Sequence, residues 1–231
     1  MLITGTIINV VAVVAGSLLG LLFHARLPQR FVKTLFQGIG LFTVVLGISM
    51  ALSADKWILI ILSLIAGGVA GEWLQLEAFF ENLAGRIGKK FRVGSAKFNK
   101  GLLTAFLLYC MGSLTILGAI EEGMGGKPEL YYIKSLMDGI SSIALASGLG
   151  VGVLFSVVPL FLYQGGLTLL ASWFGAFMPE MMMNGITSAG GILLLGLGLN
   201  ILEITKIKIL NLLPALLFVV LSSWVYLVWF S

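Results

Sequence analysis

The fold class this sequence predicts is an all-α, polytopic transmembrane helix bundle of about seven to eight segments, with an inverted three-helix repeat. Three observations carry that expectation. Of 231 residues, 59% are hydrophobic and 10% charged, and the mean hydropathy is +1.08. A soluble domain carries about 25% charged residues, and no soluble core absorbs this much apolar surface, so the solvent is lipid. Long apolar runs follow one another along a single domain. The chain also matches itself at one gapless shift.

Segment 1, Leu2–Phe23, is apolar with a Gly16-x-x-x-Gly20 spacing. It lacks a basic leader and a convincing cleavage site, so it reads as a retained helix. The basic loop HARLPQRFVK follows, with His24 interfacial beside it. Segment 2 covers about Thr34–Leu52, and a short turn holds Asp55 and Lys56. Segment 3, about Trp57–Leu76, carries Glu72 and leads into the most basic loop, with Arg86, Lys89, Lys90, Arg92, Lys97 and Lys100. Segment 4 is Gly101–Ile120, and the loop after it, Glu121–Asp138, is acidic and glycine-rich.

Lys134–Phe174 is the stretch that needs breaking. From Gly139 onward it carries no charge until Glu180. One helix over Gly139–Phe174 would run about 50 Å against a hydrocarbon core of roughly 30 Å. Gly148, Gly150, Gly152, Pro159 and Gly165-Gly166 are the places to break it, and two short spans meeting near Val157-Val158-Pro159 are expected. Segment 7 is about Gly185–Leu202, entered by Asn184, Thr187 and Ser188 as caps or as an anion-binding helix start. The last segment, about Ile209–Phe230, ends in Trp224, Tyr226 and Trp229, suited to an interface.

Lysine and arginine set orientation. The 26–33 and 81–100 loops are richest and go to the cytoplasm, which leaves the N-terminus outside. Two spans in the broken stretch then put Glu180 outside and the Lys206/Lys208 loop inside, as the same rule requires. At a shift of 151 residues, Pro28 meets Pro179, Gly40 meets Gly191, Gly47 meets Gly198 and Trp73 meets Trp224. The copies cover about residues 1–80 and 156–231, with 81–155 as connector. They start an odd number of crossings apart, so the repeat is inverted, a transporter design with its site near the midplane.

The motifs GTIIN (5–9), AGE (70–72), YCMGSLTILGAI (109–120), KSLMDGISSIALASGLG (134–150) and YQGG (163–166) together resemble the YdfK/YqgA-type bacterial membrane proteins. That family has no established function, and its members are often given a transport label. The resemblance covers nearly the whole chain. It implies a multi-pass protein of the bacterial inner membrane and no particular substrate.

Polar residues inside apolar runs are the candidate site. Asp138 is either a helix-start carboxylate paired i,i+4 with Lys134 at the outer surface, or a cation or proton site at the mouth of a cavity. Ser141 and Ser142 follow it on the same helix. Gln164 and Asn9 either tie helices together or contact a solute; unwinding at Gly165-Gly166 would add carbonyl ligands. Glu72 either snorkels beside Trp73 or faces the bundle along the small GGVAG face. Met181-Met182-Met183 reads as a lipid-touching turn, and Cys110 as a small buried hydrophobe.

No phosphate loop, HExxH or Cys/His metal set is present, and the single histidine excludes a histidine cluster. No cofactor, metal, nucleic-acid partner or enzyme activity is expected. The net charge of +4 reflects loop lysines and arginines rather than a nucleic-acid surface. The expected function is a secondary transporter or channel for a small solute or ion. The alternative is a non-transporting membrane scaffold or regulatory partner. Small-residue faces are compatible with a homo-oligomer.

Overall fold

The computed structural model describes residues 3–24, 29–90, 96–110, 113–174 and 179–230. Among them the chain is helical, with no strand. The helices are α1 (Thr4–His24), α2 (Gln29–Ala51), α3 (Trp57–Trp73), α4 (Leu76–Lys90), α5 (Ala96–Cys110), α6 (Ser113–Gly123), α7 (Glu129–Leu149), α8 (Gly152–Phe155), α9 (Val157–Phe174), α10 (Glu180–Ile201), α11 (Ile209–Leu212) and α12 (Ala215–Phe230). Arg26, Pro28, Arg92 and Ala176 lie outside the described residues, as does the side chain of His24.

Four stretches are long and apolar enough to cross a membrane: Thr4–Phe23, Gly152–Trp173, Glu180–Ile201 and Ile209–Trp229. The number rises to six if Trp57–Trp73 with Leu76–Asn82, and Ala96–Cys110 with Leu114–Gly123, each count as one bent span. Helix α7 is long enough but carries Glu129, Lys134 and Asp138.

The chain forms two compact units, each drawn from two separate stretches of the sequence: Met1–Ile39 with Glu81–Phe177, and Gly40–Phe80 with Met178–Ser231. In the first unit α1 shows the pattern that lipid imposes. Its large apolar residues Ile7, Val11, Leu18 and Leu22 are exposed, and its small and polar residues Thr6, Asn9, Gly16, Ser17 and Gly20 are buried. No hydrophobic effect drives helices together in lipid, so close packing at small residues does it. Helix α7 lies along this face and runs parallel to α1: Gly5 meets Tyr131, Gly16 meets Gly139 and Gly20 meets Ile143. A Cβ on Gly16 would stand 2.1 Å from the carbonyl oxygen of Gly139, and one on Gly20 2.3 Å from that of Ile143.

The second unit is also packed through glycine. The later half of α2 runs antiparallel to α10, with Gly40 against Gly198 and Gly47 against Gly191. Helix α3 runs antiparallel to α11 and α12. Gly71 meets Asn211, Gly67 meets Ala215, and the Ser63 and Ser222 hydroxyls lie 3.1 Å apart. Ser188 donates to the carbonyl of Ala51 at 2.7 Å.

Several expected boundaries move. The long apolar stretch breaks first at Gly150 and again at Ser156, between α8 and α9 and just before the expected Val157–Pro159. Gly150 ends α7 at φ 79°, a left-handed conformation open to glycine. Pro159 sits in the first turn of α9, where its missing N–H leaves no helical bond unmade. Gly165 and Gly166 stay helical, so no carbonyls are exposed there. Helix α10 starts at Glu180, behind Pro179, which makes Asn184, Thr187 and Ser188 mid-helix residues and not caps. Asn184 instead donates to Asp55 at 3.0 Å. The 81–100 region, read as a loop, holds most of α4 and the start of α5. Segment 4 is two helices bent by 59°.

The glycine contacts give a direct test. Gly16→Ala should destabilise the protein by about 1–3 kcal/mol, because backbone faces the new methyl and cannot yield as a side chain would. Gly38→Ala has nothing within 4 Å of its new Cβ and should be neutral or stabilising, by up to about 1 kcal/mol from helix propensity. Thermal unfolding of both variants in detergent measures the difference.

Candidate functional site

Four of the expected site residues come together in the first unit. Asn9, one and a half turns into α1, points between α7 and α9 and is fully buried. Its Nδ2 donates to Asp138 Oδ2 at 3.0 Å and to Gln164 Oε1 at 2.9 Å. Lys134, one turn before Asp138 on α7, pairs with the same carboxylate oxygen. Gln164 is fully buried, and Asp138 is only 8% exposed. Asp138 therefore lies half-way along α7 and not at a surface entrance. Helical spacing gathers these groups: Lys134, Asp138 and Ser142 recur every four residues on α7, and Leu160, Gln164 and Thr168 do so on α9.

The surroundings hold the cluster in place. Ser142 Oγ donates to the Asp138 carbonyl at 2.6 Å, so the Tyr109 hydroxyl, 2.7 Å away, donates to Ser142. Thr168 Oγ1 donates to the Gln164 carbonyl at 3.1 Å, and the Tyr131 hydroxyl donates to the Thr115 carbonyl at 2.9 Å. Ser141, beside Ser142, is only partly buried.

Three buried polar atoms at this site have no hydrogen-bond partner among the described residues: Asn9 Oδ1, Gln164 Nε2 and Thr6 Oγ1. Thr6 lies one turn before Asn9, and Gly165 lies next to Gln164 on α9. Gly165 is buried, yet a Cβ there would meet only Thr6 Cγ2, at 3.8 Å. The α1–α9 contact at Thr6 is therefore looser than the α1–α7 contact at Gly16 and Gly20. Leaving a buried polar group unpaired costs about 1–3 kcal/mol. Burying an ion pair costs several kcal/mol per ion before its attraction is counted. Polar groups kept at such cost between apolar helices make this cluster the candidate functional site.

Glu72 is not brought into this cluster. It belongs to the second unit and is exposed, with Oε1 accepting from Lys208 at 2.8 Å and Oε2 from Asn211 Nδ2 at 2.6 Å. The Glu72 hydrogen bond pushes the Lys208 ammonium up from the ordinary lysine range. Asn211 Oδ1 also accepts from the Glu77 amide at 2.6 Å. This knot ties the bend at Gln75 to the start of α11, so Glu72 joins helix ends.

Sequence reading missed Thr6, Tyr109, Glu121 and Glu122. Glu122 Oε1 accepts from the Gly5 amide at 2.7 Å at the start of α1, and Glu121 Oε2 accepts from the Leu130 amide at 3.1 Å at the start of α7. Both acids had been counted as loop charge. The signal available was their place on the last turn of a helix directly before a glycine turn.

Comparison with known proteins finds similarity along the whole chain. It is 39% identical over 217 residues to the "Uncharacterized membrane protein YdfK" of Bacillus subtilis (strain 168), covering 92% of each chain. It is 29% identical over 235 residues to the "Uncharacterized protein YqgA" of Escherichia coli (strain K12), covering 100% of each. No solved structure matches it. The family model described as "Protein of unknown function (DUF554)" matches residues 4–224, and the chain belongs to that membrane-protein family.

Proposed function

We propose that the protein is a secondary transporter or channel that passes a small solute or ion across the bacterial inner membrane. One observation carries the reading: a buried ion pair and two buried amides, with amide atoms left unpartnered, where α1, α7 and α9 meet. Leaving a buried amide atom unpaired costs about 1–3 kcal/mol, which a tie between helices does not by itself require. In this mechanism the solute sits against Asn9, Gln164 and Thr6. Asp138 carries a coupling proton or cation and exchanges it with its bond to Lys134.

The inverted repeat and an eight-crossing topology belong to the same proposal. Under the shift of 151, Gln29 at the start of α2 falls on Glu180 at the start of α10. The glycine contacts support an inverted relation. The shift carries Gly40 onto Gly191 and Gly47 onto Gly198, so the Gly40–Gly198 and Gly47–Gly191 approaches exchange with one another. A two-fold axis relating antiparallel copies requires that exchange. The N-terminus is then outside and residues 81–100 are cytoplasmic.

Two measurements test the reading. In proteoliposomes loaded with a panel of small solutes and ions, wild-type protein should carry at least one above the protein-free rate. Asp138→Asn should cut that flux about tenfold or more, equivalent to about 1.4 kcal/mol on the barrier. The single change leaves the Lys134 ammonium buried and unpaired, at a stability cost of about 3–5 kcal/mol. The double variant Lys134→Met/Asp138→Asn should recover most of that stability and still fail to transport. Absence of flux for the whole panel from well-folded protein would favour a scaffold. For topology, Glu180→Cys and Lys206→Cys, each in a Cys110→Ala background, should react with an impermeant thiol reagent from outside and inside respectively. The reverse labelling overturns the inverted repeat.

A further inference from the structure

The geometry points to a small, uncharged, planar solute of the urea or amide type as the occupant of the site between α1, α7 and α9. This rests on the transport reading above and narrows it to a chemical class.

The first step is charge. Lys134 and Asp138 are the charged side chains at the cluster, and they neutralise one another one turn apart. The titratable groups facing them from the neighbouring helix are Tyr109 and Cys110, both buried and both neutral in their ordinary forms. The ion pair leaves no net charge to meet an ionic solute, and the Glu122 carboxylate at the start of α1 is taken up by the amides of that helix's first turn. An uncompensated ion at this depth in a membrane is disfavoured by about a hundredfold.

The second step is which atoms remain. An amide can be turned either way, and its orientation is settled by its partners. The Asp138 carboxylate accepts and cannot donate, so Asn9 must turn Nδ2 towards it. The same Nδ2 also reaches Gln164, so Gln164 must turn Oε1 inwards. One carboxylate thereby orients two amides in series. The leftover atoms follow without further choice: an acceptor, Asn9 Oδ1; an N–H donor, Gln164 Nε2; and a hydroxyl, Thr6 Oγ1, able to act as either. Donor and acceptor side by side, without charge, complement a solute that offers an acceptor and a donor on neighbouring atoms. A carboxamide or urea does so.

The third step is room. Gly165 leaves slack between α9 and Thr6: a Cβ there would stand 3.8 Å from Thr6 Cγ2, in ordinary contact and without a clash.

The test uses three planar solutes of nearly equal shape and different charge: guanidinium, urea and nitrate. Initial uptake of each is measured in proteoliposomes of the full chain, with the membrane potential clamped at zero and protein-free uptake subtracted. Urea should enter about a hundredfold faster than either ion, the penalty for an uncompensated charge. Gln164→Glu places a carboxylate where the free donor stands. It should slow urea and raise guanidinium uptake about tenfold or more, as a paired charge loses that penalty. Wild-type protein that carries guanidinium or nitrate faster than urea overturns the uncharged class and leaves transport standing. Uptake of none of the three by well-folded protein overturns the urea or amide class, and the wider panel above decides separately on transport.

Discussion

Asn9 gives both of its amide hydrogens away inside the bundle, one to a carboxylate on α7 and one to an amide on α9. In lipid there is no water to take their place, so a polar group must find its partner within the protein. That constraint explains why three helices of mostly apolar sequence meet at one residue. It also explains why they cannot slide. A shift of α1 by one residue would turn Asn9 by about 100° and strip Asp138 and Gln164 of a donor at once. The glycines at 16 and 20 set how close α1 and α7 come, and Asn9 sets where along their length they meet.

The two units solve the same problem with different chemistry. The first uses a buried ion pair and amides at the middle of its helices. The second keeps glycine and serine along its helices, as at Gly47, Gly71 and Ser63, and puts its charged pair, Glu72 with Lys208, at an exposed helix end. Water screens an exposed pair, which contributes little to stability. The contrast separates the roles. A charge pair at a helix end anchors, whereas one buried half-way along a helix fixes the register of the helices around it.

The sequence made much of this legible, for a physical reason. In a chain with so few charges, each polar residue inside an apolar run stands out, and Asn9, Lys134, Asp138 and Gln164 were all visible that way. Their grouping was partly legible too, because spacings of four place Lys134 with Asp138. The break points were less so. Pro159 and Gly165-Gly166 look like helix breakers by composition, but a proline in a first turn costs nothing and glycines within a lipid-embedded helix stay helical, because their backbone groups have no water to turn to. Gly150 was one candidate among several until its positive φ singled it out. Glu72 could not be assigned, because Lys208 and Asn211 are far along the chain and no local pattern links them.

Glu121 and Glu122 show how a residue pair outside the site sets its geometry. Helices α1 and α7 run parallel, so their positive N-terminal ends lie at the same edge of the unit, an arrangement that repels itself. Two adjacent carboxylates at the end of α6 answer it. Glu122 accepts from the Gly5 amide, with Thr4 and Thr6 amides also turned towards it, and Glu121 accepts from the Leu130 amide. Because the two acids are neighbours on one helix, they hold the first turns of α1 and α7 in a set relation. Four residues on from Gly5 is Asn9, and two turns on from Leu130 is Asp138. The height at which the amide meets the carboxylate is thus established at the helix starts, by a pair of caps that touch neither residue.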